Sequence, residues 1–181
     1  MSAKMSTDDI NPYETPKTFE RFSDDIRESM RLANREAKRR FSQSIETFHL
    51  LTAIALEPTG LGGILFRQYG ITGSVVRKQS RSLRVGSEWV TIWGKLPLSA
   101  NTNRSLDSAI TFALIENHDS VGTGGVLLAM LTTDEASTKL LHALEINLDR
   151  FEKDLRRYLY RLMIESPGRE LQLDPLDATN S

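Results

Sequence analysis

The chain has 181 residues, with 23 Lys plus Arg against 24 Asp plus Glu, for a formal net charge of −1. That balance excludes a bulk polyelectrolyte, whether a basic nucleic-acid wrapper or an acidic tail protein. The absence of cysteine removes disulfides, thiolate metal sites and thiol nucleophiles together, and fits a reducing compartment.

Residues 1–18 hold Pro12 and Pro16 and show no apolar period, so they read as a mobile leader. They lack an apolar core and carry Asp8, Asp9 and Glu14, which argues against a secretory signal or a transit peptide. No stretch approaches the roughly 18 consecutive apolar residues of a membrane helix. The expected location is therefore the cytoplasm.

A first helix is expected from Ser23, an N-cap residue followed by Asp24 and Asp25. Its apolar positions Ile26, Met30, Ala33 and Ala37 fall on one face, and Lys38, Arg39 and Arg40 sit at its cation-favouring end. A second helix is expected from Thr47 to about Glu57, stopped by Pro58. A short third covers Gly63 to Tyr69 and ends at Gly70, and a fourth covers about Thr72 to Leu83.

The arrangement then recurs. A shift of 76 residues lays 22–56 over 98–132 and pairs Ser23 with Ser99, Ala33 with Ala109, Ala37 with Ala113, Thr47 with Thr123 and Leu51 with Leu127. After the following turn the shift becomes 75, pairing Leu65 with Leu140, Ile71 with Ile146 and Val76 with Phe151. The expected layout is repeat one at 19–84, a linker at 85–97, repeat two at 98–164 and a flexible tail at 165–181. In the linker, Trp89 and Trp93 alternate with Val90 and Ile92, an extended pattern. The two tryptophans read as plugging the groove between the repeats, with an aromatic docking surface as the other reading.

The order of these signals resembles a known family. Ile45-Glu46-Thr47-Phe48-His49-Leu50-Leu51, its counterpart Val121-Gly122-Thr123-Gly124-Gly125-Val126-Leu127, and the closing segments Tyr69-Gly70-Ile71 and Leu144-Glu145-Ile146-Asn147-Leu148-Asp149 are similar to the signatures of the double Clp repeat. That repeat forms the N-terminal domain of the Clp ATPase unfoldases. The resemblance covers about residues 19–160. It implies an all-α fold of two four-helix repeats, about eight helices, related by a pseudo-twofold axis. It also implies protein partners: a Clp ATPase, a Clp peptidase, an adaptor or a substrate segment. Some family members use a Glu before the His to bind phosphorylated arginine. Phe48 and Gly124 stand at that position here, so this activity is not expected.

No catalysis, cofactor or metal is expected. Gly94-Lys95 is followed by Leu96 and lacks the earlier glycine of a phosphate loop, and the chain is far too short for an ATPase core. His49, His118 and His142 lie in different segments without ligand spacing. His49 reads as a packed helix residue and His142 as a surface or half-buried one. The glycines around Thr123 open a helix with Thr as N-cap, with anion binding as the alternative.

The first helix places Arg27, Arg31, Arg35 and Lys38 away from its apolar stripe, where the second copy has Asn103, Asp107, Thr111 and Leu114. A partner-binding surface is expected from Arg27, Arg31 and Arg35 with Phe48 nearby, and with Trp89 and Trp93 of the linker. The alternative is nucleic-acid or phosphate binding by this basic helix, against which stand the even charge and the lack of aromatics interleaved with the stripe.

Overall fold

Two short extended stretches meet two others, and the helices start from those meetings. The computed structural model describes residues 20–83 and 95–165. Among the described residues eight α-helices run in order: α1 Asp24–Arg39, α2 Thr47–Leu56, α3 Leu61–Gln68, α4 Gly73–Gln79, α5 Ala100–Ile115, α6 Thr123–Thr133, α7 Glu135–Ala143 and α8 Leu148–Glu165. A 3-10 turn at Ser80–Ser82 continues α4. The described residues form no sheet, only two isolated parallel bridges, Phe22 with Val121 and Ile45 with Leu98.

Those bridges are each other's image under the 76-residue shift. Val121 N–H donates to Arg21 O (2.8 Å) and Val121 O accepts from Ser23 N–H (3.0 Å). Likewise Ile45 N–H donates to Pro97 O (2.8 Å) and Ile45 O accepts from Ser99 N–H (3.1 Å). The entry to each repeat's first helix is thus pinned beside the entry to the other repeat's second helix.

Helices α2 and α6 fill the centre. Every residue from Thr47 to Ala55 is buried, and Val126 to Met130 likewise. Continuous apolar runs such as Leu50-Leu51 and Val126-Leu127-Leu128 suit helices covered on all sides. Each central helix touches both repeats: α3 packs on α6, and α7 packs on α2. The repeats therefore share one core rather than stacking as two.

The helix ends repeat as faithfully. Phe41 (φ 52°) and Asn117 (φ 56°), 76 apart, turn the chain after α1 and α5. Gly70 (φ 70°) and Glu145 (φ 60°), 75 apart, do so after α3 and α7. At each end a backbone N–H reaches back five residues: Ser42 to Ala37, His118 to Ala113, Ile71 to Phe66 and Ile146 to Leu141.

Three boundaries differ from the sequence expectation. Helix α3 starts at Leu61, two residues early, because the buried Glu57 carboxylate accepts from Gly60 N–H (2.6 Å) and Thr59 N–H (2.8 Å) and caps it across the Pro58 turn. Helix α4 is shorter, its last turn tightening to 3-10. Gly122, not Thr123, is the N-cap of α6, and the cap itself comes from the other repeat. Asp25 Oδ2 accepts from Thr123 N–H and from Thr123 Oγ1, both at 2.8 Å. Thr123 Oγ1 in turn accepts from Gly62 N–H (3.0 Å). Gly60 lies so close that a Cβ there would overlap both Asp25 Oδ2 and Thr123 Oγ1. Ser23 is the N-cap of α1 by position, but its hydroxyl bonds Asp25 and Val121 O instead of its own helix.

Asp25→Ala is expected to lower stability by about 1–2 kcal/mol, because it removes a cap and the partner of a buried hydroxyl. Gly60→Ala should cost at least as much through the close contacts at the same seam. Urea unfolding of the two variants checks both, and parent-like midpoints would contradict the seam's role.

Candidate functional site

The sequence makes α1 amphipathic, and the fold sets its apolar side on α2. Ile26, Ala33 and Ala37 are fully buried, while Arg27, Arg31, Arg35 and Lys38 are exposed as expected. Arg39 continues the series, so four arginines stand at consecutive four-residue steps along one helix. At 1.5 Å per residue the row runs about 18 Å. Arg27 donates to Glu20 O (3.1 Å), and Arg31 forms a two-pronged pair with Glu28 at 2.6 and 2.8 Å.

The row does not stop at α1. Glu36, 7% exposed, accepts two hydrogen bonds from Arg77 of α4 at 2.7 and 2.8 Å and pairs with Arg39 at 3.4 Å. Burial alone would push the Glu36 carboxyl up; the Arg77 hydrogen bonds and the charges of Arg77 and Arg39 outweigh it and hold the pKa below the usual carboxylate range. One turn beyond Arg77, Arg81 is exposed. Arg39 could be found in the sequence from the four-residue spacing. Arg77 could not, since only the packing of α4 on α2 brings it to Glu36 of α1.

Phe48, expected beside the arginine row, is not part of this face. It is 6% exposed, and the Arg40 guanidinium lies 4.6 Å above its ring. Arg40 also donates to Ser80 Oγ (3.2 Å), Ser80 O (3.0 Å) and Leu83 O (2.8 Å), which ties the end of α1 to the end of repeat one. A residue opening the second helix of a repeat is roofed by the turn behind the first, which a linear pattern does not reveal. Trp89 and Trp93 lie outside the described residues, as do the leader, most of the linker and the tail beyond residue 165.

His49 is packed in the core beside Phe48, 1% exposed. Its Nδ1 accepts from Glu46 N–H (3.0 Å) while the Glu46 side chain caps His49 N–H, a reciprocal capping box at the start of α2. The proton of the neutral ring therefore sits on Nε2, which has no hydrogen-bond partner among the described residues. Burial first, and the Arg40 charge second, depress the His49 pKa to about 4. His142 is exposed. Among the described residues no three His, Asp or Glu side chains cluster as a metal site would require.

On the second repeat the face equivalent to the arginine row is a different surface. An open hollow of about 750 Å³ lies along α5, lined among the described residues by Asn103, Arg104, Asp107, Thr111, Phe112 and Ile115. Asn103, Asp107, Thr111 and Ile115 occupy the positions of Arg27, Arg31, Arg35 and Arg39. Ile115 is 70% exposed and its neighbour Leu114 49%. The fold holds both faces in equivalent places, and they share no chemistry.

Comparison with known proteins matches residues 97–177 to the Clp repeat N-terminal domain family. A probable ATP-dependent Clp protease ATP-binding subunit of Chlamydia pneumoniae is 26% identical over 82% of the chain, which spans 18% of that relative. The N-terminal domain of the chaperone ClpD from Arabidopsis thaliana superposes with a TM-score of 0.67 at 21% identity, over 78% of this chain and 99% of that domain. The N-domain of ClpV, solved in complex with a VipB peptide, superposes at 0.63 and 19% identity, over 86% of this chain and 95% of that one. The all-α double-repeat fold is thus that of Clp N-terminal domains. No single described helix is long and apolar enough to cross a membrane.

Two outcomes follow from this geometry. With a folded pKa near 4 against about 6.5 unfolded, His49 stays neutral in the folded state while the unfolded state takes up a proton. Stability should therefore fall as pH drops from 7 to 5, by about 2 kcal/mol. His49→Gln keeps a capping acceptor and should flatten that slope in denaturant titrations at the two pH values. Separately, successive like charges four apart on a helix cost about 0.2–0.5 kcal/mol each. Arg35→Glu converts two such contacts into attractive ones, so its melting temperature should equal or exceed the parent's.

Proposed function

We propose that this double Clp repeat is a non-catalytic protein-docking module, an accessory or adaptor of a Clp chaperone–protease system in the cytoplasm. Its work is reversible contact between helix faces and a protein partner: a Clp ATPase, a Clp peptidase, another adaptor or a substrate segment. The observation that carries this reading is the divergence of α1 and α5. Most inward positions of the two helices agree, Ser29 with Ser105, Met30 with Leu106, Ala33 with Ala109 and Ala37 with Ala113, while the outward Arg27, Arg31, Arg35 and Arg39 correspond to Asn103, Asp107, Thr111 and Ile115. Fold maintenance does not need a row of mutually repelling arginines on one copy and an open, partly apolar hollow on the other. Arg27, Arg31 and Arg35 are the proposed anchors, since arginine is among the residues enriched at protein interfaces. The ClpV N-domain complex supplies a precedent for a peptide on this fold.

The test is immunoprecipitation of the tagged full-length chain from its own cells after mild crosslinking, probed for Clp ATPase and peptidase subunits. Recovery of a Clp subunit well above a tagged control is expected. Its absence, with the bait folded, would overturn the Clp assignment.

A further inference from the structure

Repeat one is electrically unlike repeat two. Residues 20–83 contain eleven Lys and Arg against seven Asp and Glu; residues 95–165 contain eight against ten. The excess is concentrated where α1 meets α4. Arg27, Arg31, Arg35 and Arg39 run along α1, and Arg77 of α4 joins them through Glu36, with Arg81 exposed in the 3-10 turn that follows. Glu36 is held ionised between Arg39 and Arg77, so it fixes the two guanidinium groups close together instead of cancelling the surface. Glu28 neutralises part of Arg31 alone.

We infer that this two-helix arginine surface is the receptor for an acidic protein segment, rich in Asp and Glu, carried by the partner. The inference rests on the docking reading above and adds the chemistry of what docks. Three observations select that occupant. The cations on this surface that follow the four-residue steps are all arginine, whose planar fork matches a carboxylate in two-pronged fashion, as Glu36 and Glu28 already demonstrate here. The row along α1 is as long as about five or six residues of extended chain. Neither α1 nor α4 contains an aromatic residue to interleave with the arginines, the exposed Phe41 lying beyond the end of α1, and Glu20 and Asp24 stand exposed at the other end, where they repel a long polyanion.

The experiment uses the full-length chain and three labelled probes followed by fluorescence anisotropy: an octapeptide of Glu and Asp, its Gln and Asn counterpart, and an oligothymidylate of matching charge. The acidic peptide should bind and the neutral one should not. Arg31→Glu with Arg35→Glu should weaken the acidic peptide at least tenfold while the fold, checked by thermal melting, persists. Arg39→Glu should weaken it by a smaller factor. Tighter binding of the oligothymidylate than of the acidic peptide would overturn the inference in favour of nucleic acid. Equal binding of the acidic peptide by parent and variants would overturn it as well. A Clp subunit recovered undiminished with the Arg31→Glu, Arg35→Glu chain would remove this surface while leaving the docking module standing.

Discussion

The structure depends on a reciprocal exchange of backbone hydrogen bonds. Val121 closes the entry of the first repeat, and Ile45 closes that of the second. Each entry strand would otherwise leave polar backbone groups unpaired beside the core, so the two halves are obligatory complements. Once the entries are pinned, α2 and α6 lie side by side in the middle, and α3 and α7 cross over to cover the opposite central helix. The side chains then reinforce the exchange unequally. The start of α6 is capped by Asp25 from across the seam, whereas α2 caps itself through Glu46 and His49, and Asn101, at the position equivalent to Asp25, is exposed.

The duplication explains why much of the fold was legible in the sequence. Apolar period, small residues at Ala33, Ala37, Ala109 and Ala113, and turn residues recur because the packing they serve is duplicated. The matching left-handed turns at residues 41 and 117, and at 70 and 145, show the same duplication in the backbone. Boundaries were less legible where a proline turn stands between cap and helix, as with Glu57 at α3, or where the cap arrives from a distance in sequence, as with Asp25 at α6. Periodicity reports which side of a helix is apolar; it does not report which remote carboxylate will terminate it.

The candidate site was half legible for the same reason. The exposed arginines of α1 could be read from their own helix. The burial of Phe48 beneath Arg40, where α1 packs on α2, and the annexation of Arg77 by Glu36 arise from contacts between helices, which no window along the chain contains. Glu36 links the two levels. Buried on the margin of the core, it is the hinge through which a packing contact becomes a property of the surface.

The reciprocal bridges also carry an evolutionary consequence. A single repeat of this kind could close its entry only with a second copy, so the duplicated chain is equivalent to a symmetric dimer made covalent. In a dimer of identical subunits every change on one outer face appears on the other. Fusion lifts that restriction while leaving the shared interior intact. The arginine face of one half and the open hollow of the other are differences that only a tethered pair can accumulate.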